Sequence, residues 1–247
     1  QCDLQELEEY RKQTKRIEKK LFVNVCQLFS EEELEECKEA LTWCRQVGVD
    51  GIYYADEGVY TLAQEMGMTS LLIYQPETLI TNHLDVEYYL NKGIQSVSLA
   101  HELSIEEIKK IAQYQTNIEI LIQGTYSVLY SRRPLIKNYL QAHQIESRQT
   151  SRFDLIEQTR SDRFPIIEDA SGTHIFTEKE INSIRQYPLL KEMGIARFRI
   201  DSLFHDDDWT LKVLKAYAQQ QDFQDGSDHW YHQQSVDRKE GDSNETD

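Results

Sequence analysis

The chain has 247 residues, of which 39% are hydrophobic and 28% charged, enough for one large packed domain or two small ones. No segment approaches the roughly 18 apolar residues that a membrane span needs, and no signal peptide is visible, so no membrane association is expected. The formal net charge of −16 argues against nucleic-acid binding by the whole surface but leaves room for a local basic patch.

The cysteines are few and lie early in the sequence, at Cys2, Cys26, Cys37 and Cys44. A disulfide scaffold would be denser, which favours a reducing, cytoplasmic setting. Cys37 and Cys44 share the apolar face of a predicted helix, where a free cysteine packs as a small hydrophobe. No CxxC pair is present, so a zinc or iron–sulfur site of the usual spacing is not expected.

Predicted helices and strands alternate along the chain. The sequence begins with Gln1 in a helical pattern, and we therefore expect that an N-terminal part was removed or not included. Ser30 with Glu33, and Ser104 with Glu107, form capping boxes that start two of the helices. Helices are predicted over 3–19, 31–47, 57–66, 84–92, 104–115, 178–192 and 207–220. Strands are predicted near 21–25, 50–54, 70–74, 95–99, 118–123 and 197–201.

This alternation predicts βα units and a parallel sheet. Six such units and a missing start favour a TIM-like α/β fold, a (β/α)8 barrel that lacks its first one or two strands; an open doubly wound sheet is the alternative. Residues 1–221 are predicted to form this single barrel-like domain. Residues 222–247 are acidic and polar, which predicts a tail that is disordered at least beyond about residue 230.

Polar residues that follow the predicted strands are the candidates for catalysis, because barrel active sites lie at the C-terminal ends of the strands. They are Asn24, Asp56, Gln75, His101, Glu102, Gln123 and Asp201. Their acids, amides and histidine allow acid–base chemistry. The alternative is structural, since a strand-end Asp often caps the next helix and His101 can simply bond across the barrel mouth. No G-x-S-x-G or H-E-x-x-H motif supports a protease mechanism.

Basic residues cluster in the region that follows the fifth predicted strand. They are Arg132, Arg133, Lys137, Arg148, Arg152, Arg160 and Arg163, interleaved with Tyr126, Tyr130 and Tyr139. Arginine and aromatic side chains together grip single-stranded RNA through phosphate contacts and base stacking. A solvated, mobile loop whose charges offset nearby acids is the equally weighted alternative.

The stretch EILIQGTYSVLYSRRP, residues 119–134, resembles the signature of the collagenase-like peptidase family (peptidase family U32). Glu119 and Gly124 match the Glu and Gly of that signature, whereas Ser127 and Pro134 occupy its two cysteine positions. The likeness extends over roughly residues 20–220. It includes Asn82, the stretches 98–112 and 164–176, and RFRIDS at 197–202, where Arg199 stands for Lys and Asp201 for Glu.

The resemblance implies a cytoplasmic TIM-like barrel. Better-understood members of the family assist hydroxylation of RNA bases or quinone precursors, and several hold a four-iron, four-sulfur cluster on cysteines. In the tRNA branch the implied hydroxyl source is prephenate and the product is hydroxylated wobble uridine. Gram-positive bacteria often carry two such paralogues, and this chain looks most like the shorter one.

The departure from the signature matters for the cofactor. Serine and proline do not replace the thiolates that hold such clusters, so no cluster is expected in this chain. A barrel with a degraded site implies an accessory subunit of tRNA wobble-uridine hydroxylation that works beside a cluster-bearing paralogue. A collagenase-like peptidase, with His101 or Glu102 essential, and an RNA-binding module without catalysis, acting through the basic region, are the alternatives.

Overall fold

A parallel sheet flanked by helices forms the main body of the protein. The computed structural model describes residues 2–146, 150–156 and 163–232. Six parallel strands make this sheet: β1 (Phe22–Val25), β2 (Gly51–Tyr54), β3 (Leu72–Tyr74), β4 (Ser96–Ser98), β5 (Ile118–Gly124) and β11 (Arg197–Ile200). Each strand pairs with the next one in the order β1-β2-β3-β4-β5-β11. The strand order never reverses, as it would in a doubly wound sheet.

The sheet curls into a half-barrel whose two edge strands are β1 and β11. The Arg197 guanidinium of β11 lies 5.3 Å from the centre of the Phe22 ring of β1, so the two edges approach each other across the barrel interior. The fold is therefore an α/β, TIM-like partial barrel, as predicted. Its helices are α1 (Leu4–Arg16), α2 (Leu34–Val47), α3 (Glu57–Glu65), α4 (His83–Asn91), α5 (Ile105–Ala112), α7 (Tyr187–Glu192) and α8 (Asp207–Gln219).

Local signals in the sequence explain where these helices begin and end. Ser104 accepts from the Glu107 backbone N–H while the Glu107 side chain accepts from the Ser104 backbone, which completes the predicted capping box of α5. Gly48 ends α2 in the left-handed conformation, at φ 71°. Cys37 and Cys44 are fully buried on the inner face of α2, so their predicted role in core packing is confirmed.

The predicted helix over 178–192 is wrong in its first half. Ile181–Asn182 form strand β10, which pairs antiparallel with the end of β5, and α7 begins only at Tyr187. Both residues of β10 are buried, and Pro188 sits in the first turn of α7, a position where proline starts a helix. Burial against β5 therefore overrides the helical pattern.

A second, antiparallel sheet replaces the predicted loop. Its strands are β6 (Ser127–Ser131), β7 (Arg152–Ile156), β8 (Arg163–Asp169) and β9 (Gly172–Phe176), in the order β6-β9-β8-β7, and helix α6 (Leu135–Ala142) follows β6. The part of the basic region from Ser127 to Ser131 is thus a strand and not a mobile loop. Gly172, at φ 130°, closes the tight β8–β9 turn, where an added Cβ would meet the Ser131 carbonyl oxygen.

The first part of the predicted tail packs on the half-barrel. The Asn182 side-chain amide donates to the Phe223 and Asp225 carbonyl oxygens, at 2.6 and 2.9 Å. Tyr231 is buried, and its hydroxyl lies 2.7 Å from the Ser183 hydroxyl. Residues 222–232 therefore differ from the expected disordered tail, because two of their backbone carbonyls accept hydrogen bonds from the half-barrel and Tyr231 is buried against it. Residues 233–247 of that prediction lie outside the described residues.

None of the helices within 2–146, 150–156 and 163–232 is long and apolar enough to cross a membrane.

Candidate functional site

A cavity of about 800 Å³ lies between the C-terminal ends of the parallel strands and the antiparallel sheet. The barrel side of its wall comes from the segments that follow β1, β3 and β11, and the opposite side from β6, β8 and β9. This volume falls within the range of small-molecule sites. The position is the one where α/β barrels place their active sites.

A buried arginine forms the floor of this cavity. The Arg199 guanidinium lies 3.1 Å from the Asp201 carboxylate and 3.5 Å from the Glu119 carboxylate. Tyr53 donates to the other Glu119 oxygen at 2.6 Å. Since β5 and β11 are parallel neighbours, their pairing brings Glu119 and Arg199 together although they are far apart in the sequence. The floor is therefore an ion-paired network, not an apolar core.

Two atoms of this network keep unused hydrogen-bonding capacity. Arg199 Nε and Glu119 Oε1 are buried and have no hydrogen-bond partner among the described residues. Burial raises the pKa of Glu119, against the opposing charge of Arg199 and the hydrogen bond from Tyr53. Burial alone would lower the pKa of Arg199, but the carboxylates around it raise that pKa. The guanidinium thus stays charged at the cavity floor.

Glu77 holds a charged carboxylate at the side of the cavity. One oxygen lies 2.9 Å from His101 Nε2, and the other accepts from the Gln75 amide at 2.8 Å. Burial would raise the pKa of Glu77, but His101, the charge of Arg199 and the Gln75 hydrogen bond outweigh it and lower the pKa to about 2. Glu77 is therefore an acceptor of hydrogen bonds at neutral pH, not a proton donor.

The backbone of Glu77 is in an uncommon conformation. Its φ angle is +63°, in the left-handed region that residues other than glycine seldom adopt. Such conformations cost roughly 1–3 kcal/mol and cluster at functional sites. The strain turns a carboxylate from the loop after β3 towards His101, which follows β4.

Acidic groups outnumber basic ones along the cavity wall. Among the residues that the structure describes, Glu77, Asp169 and Asp201 line it together with a single arginine, Arg199. His174 also lines it, and burial lowers the pKa of this imidazole, so it is neutral at pH 7. A cavity with this balance repels anions and favours an uncharged or cationic ligand.

Glycine at the end of β5 allows the floor to assemble. Gly124 has φ 116°, and an added Cβ would meet the backbone carbonyl oxygen of Asp201. A side chain here would push the end of β11 away from β5. The Gly of the family signature is thus explained by close backbone approach.

Four of the seven predicted catalytic residues lie together at the cavity. Gln75 and Asp201 line it, and His101 contacts Glu77 directly behind the wall. Asn24 also lines the cavity and accepts from the Cys26 backbone N–H. Their catalytic role stays a prediction.

The other three predicted catalytic residues lie elsewhere. Asp56 caps α3 by accepting from the backbone N–H of Gly58, the structural role that had been the alternative. Gln123 is fully buried and donates to the Asp225 carbonyl oxygen at 3.0 Å. Glu102 is exposed and does not line the cavity.

Sequence reasoning missed Glu77 and Arg199 as candidates. Glu77 lies in a turn rather than at a strand end, and Arg199 lies inside β11, so neither met the criterion of a closing polar residue. The signal for Arg199 was an arginine in a short strand whose neighbour in the fold carries Glu119. A buried charge requires a charged partner.

The basic residues proposed for RNA contact are dispersed around the antiparallel sheet. Arg132 pairs with Glu33 at 2.8 Å, and Arg152 lies over the Phe204 ring at 5.7 Å. The side chains of Arg133 and Lys137 are exposed and form no ion pair within the described ranges. Arg148 and Arg160 lie outside the described residues.

The two positions where the family signature has cysteine carry no thiol and are engaged in local structure. The Ser127 hydroxyl donates to the Leu129 carbonyl oxygen at 3.1 Å, and Pro134 precedes the first turn of α6. Cys26 does line the cavity, but burial raises the pKa of its thiol, which disfavours the thiolate that binds metals and attacks substrates.

The family model of Peptidase family U32 matches residues 1–241, and the chain belongs to this family. The tRNA hydroxylation protein P2 of Bacillus subtilis (strain 168) is 30% identical over 206 residues, which cover 81% of this chain and 67% of that protein. The tRNA hydroxylation protein P1 of the same strain is 21% identical over 204 residues, covering 80% of this chain and 48% of that protein.

A solved U32 peptidase aligns over 81% of this chain and 76% of its own, with 14% identity and a TM-score of 0.47. The matched part of this chain covers about two thirds of the length of protein P2 and about half of the length of protein P1.

We expect Glu77→Gln to destabilise the fold at neutral pH but much less in acid. The pKa of Glu77 in the folded protein, about 2, lies below the value of 4.5 in the unfolded chain. Its stabilisation is therefore complete above about pH 4.5 and is lost as the pH falls towards 2. Urea denaturation should show a difference on the order of 3 kcal/mol at pH 7, and roughly half of that or less at pH 3.

The matched control for this experiment is Glu87→Gln, on the exposed face of α4, where the carboxylate makes no described hydrogen bond. It should change the free energy of unfolding by less than about 0.5 kcal/mol at either pH. An equal decrease in the free energy of unfolding for Glu77→Gln at pH 7 and at pH 3 would contradict the charge assigned to Glu77.

Proposed function

We propose that the chain is a cytoplasmic, accessory subunit of tRNA hydroxylation, specifically of wobble uridine. The observation that carries the proposal is its 30% identity to tRNA hydroxylation protein P2 over 206 residues, within a family match that spans residues 1–241. The tRNA hydroxylation proteins P of Helicobacter pylori (strain J99) and of Escherichia coli (strain K12) match over 214 and 203 residues and support the same assignment.

The accessory role rests on the chemistry of the signature positions. A four-iron, four-sulfur cluster needs cysteine thiolates, and Ser127 and Pro134 offer none. Cys37 and Cys44 are buried inside the fold, and burial raises the pKa of each thiol to about 11. A cluster, where the reaction needs one, therefore belongs to a paralogous partner that carries the cysteines.

The cavity suits a pyrimidine base of the RNA better than it suits prephenate, the hydroxyl source that the resemblance implies. Prephenate carries two carboxylates, and the acids Glu77, Asp169 and Asp201, which outnumber Arg199 among the described wall residues, would repel it. A pyrimidine ring is uncharged and can use the aromatic and aliphatic parts of the wall. In this proposal prephenate reacts at the partner's site, and the present chain helps to hold the tRNA.

Arg133 and Lys137 follow strand β6, whose residues contribute to the cavity wall, and their exposed side chains supply positive charge for the phosphates of a bound RNA. They offset locally the repulsion that the overall charge of −16 would impose on RNA.

The peptidase alternative has weaker support. Among the described residues no Ser, Thr or Cys side chain is hydrogen-bonded to the buried His101 or the exposed Glu102, and the hydroxyl of Ser171, on the cavity wall, donates to Asp169 and not to a histidine.

Deletion of the gene should remove or strongly reduce hydroxylated wobble uridine in total tRNA. The subunit would be needed to hold substrate even though it carries no cluster. Mass spectrometry of digested tRNA, from strains lacking this gene, its cluster-bearing paralogue, or both, measures the effect. The double deletion should resemble each single deletion, because both products act in one complex. An unchanged nucleoside profile in all three strains would overturn the proposal.

The purified protein should contain little iron and should bind its cluster-bearing paralogue. Size-exclusion chromatography of the mixed proteins, with iron measured across the peaks, checks both statements. All iron should travel with the paralogue and with the mixed complex. One cluster's worth of iron on this protein alone would contradict the cluster-less role, and the absence of a mixed peak would contradict the partnership.

A further inference from the structure

We propose that the cavity binds the uracil ring of its RNA target and that Glu77 selects it by accepting the ring N3–H. This inference rests on the proposed function and deepens it by naming the residue that reads the base. It assigns a specificity role to a side chain that lies in none of the matching signature motifs.

Glu77 presents a fixed acceptor towards the cavity. Each of its two oxygens has one described partner, on His101 and on Gln75, and a carboxylate oxygen has two lone-pair directions. The side chain keeps 29% of its surface exposed, and the residue lines the cavity. One lone pair of each oxygen therefore remains for a ligand, and the strained backbone keeps the group in place.

Arg199 provides hydrogen-bond donors directly beside the Glu77 acceptor. His101 Nε2 is 2.9 Å from Glu77 Oε2 and 3.4 Å from a terminal nitrogen of Arg199. The carboxylate and the guanidinium are thus neighbours across the same imidazole nitrogen. Arg199 carries five N–H groups and meets one oxygen of Asp201 at 3.1 Å, so further donors are left for a carbonyl group of a ligand.

An acceptor next to a donor matches the edge of uracil. Uracil presents a carbonyl, an N–H and a second carbonyl in a row, so its N3–H faces Glu77 while a flanking carbonyl faces Arg199. Cytosine has a lone pair at N3 and would place it against the carboxylate. A site built to satisfy one hydrogen-bonding pattern rejects the ligand that leaves its buried groups unpaired.

The remaining wall suits an uncharged ring. Tyr74, Tyr126, Tyr130, His174 and Phe176 line the cavity, and the half-buried Tyr130 and His174 offer ring surface to a base. The mouth carries exposed aliphatic side chains at Leu28, Leu79, Val128, Leu129 and Leu203. An apolar mouth above a polar floor admits a base and disfavours its phosphates, which stay outside.

Binding of three nucleosides and of prephenate to the purified protein tests the inference. The probes are uridine, 3-methyluridine, cytidine and prephenate, followed by ligand-observed NMR titration. We expect uridine to bind, and both 3-methyluridine, which lacks the N3–H, and cytidine to bind at least 10-fold more weakly. Prephenate should not displace uridine. Equal affinity for uridine and 3-methyluridine, or no uridine binding, would overturn the proposal.

Variants of the protein supply the second arm. Glu77→Gln should weaken uridine binding at least 10-fold, and Glu87→Gln, away from the cavity, should leave it unchanged; circular dichroism at pH 7 establishes that both are folded. Spermidine is included as a cationic probe. Tighter binding of spermidine than of uridine would identify the acidic wall as a cation site and overturn the base assignment.

The two proposals fail in different ways. Selective uridine binding with an unchanged tRNA nucleoside profile in the deletion strains would refute the tRNA role and leave the base site standing. Loss of hydroxylated uridine in the deletion strain, without uridine binding to the protein, would refute the base site alone.

Discussion

The pairing of β11 with β5 is the constraint on which the functional half of this protein depends. It places Arg199 beside Glu119 and lets Asp201 close over Gly124, whose lack of a side chain permits the backbones to meet. Breaking one member of a buried ion pair leaves an uncompensated charge and typically costs 3–5 kcal/mol. The cavity floor and the closing edge of the half-barrel are therefore one structural unit.

The antiparallel sheet turns this floor into a cavity. Strands β6, β8 and β9 stand opposite the strand ends and contribute Tyr130, His174 and Phe176 to the wall. The segment that begins at Ser127, a position where the signature noted in the sequence has cysteine, forms strand β6, and residues of this strand line the cavity. The cavity wall thus forms without a thiol at Ser127 or Pro134.

Sequence patterns predicted the half-barrel well because its determinants are local. Short apolar strands alternate with helical segments, two of which begin with capping boxes, and this alternation located all six parallel strands. The antiparallel sheet was missed because its strands pair across turns within a polar, arginine-rich stretch. Glu77 was missed because it stands out only by its positive φ angle and its contact with His101. Local sequence periodicity predicts neither a backbone angle in a loop nor a contact between two loops.

The most direct test of the account joins the tRNA role to the cavity in one measurement. A strain without the gene is complemented with the wild-type protein, with Glu77→Gln or with Glu87→Gln, at matched protein levels, and hydroxylated wobble uridine is quantified by mass spectrometry. The account predicts full restoration by the wild type and by Glu87→Gln, and little restoration by Glu77→Gln. Full restoration by Glu77→Gln would contradict the claim that this cavity holds the base.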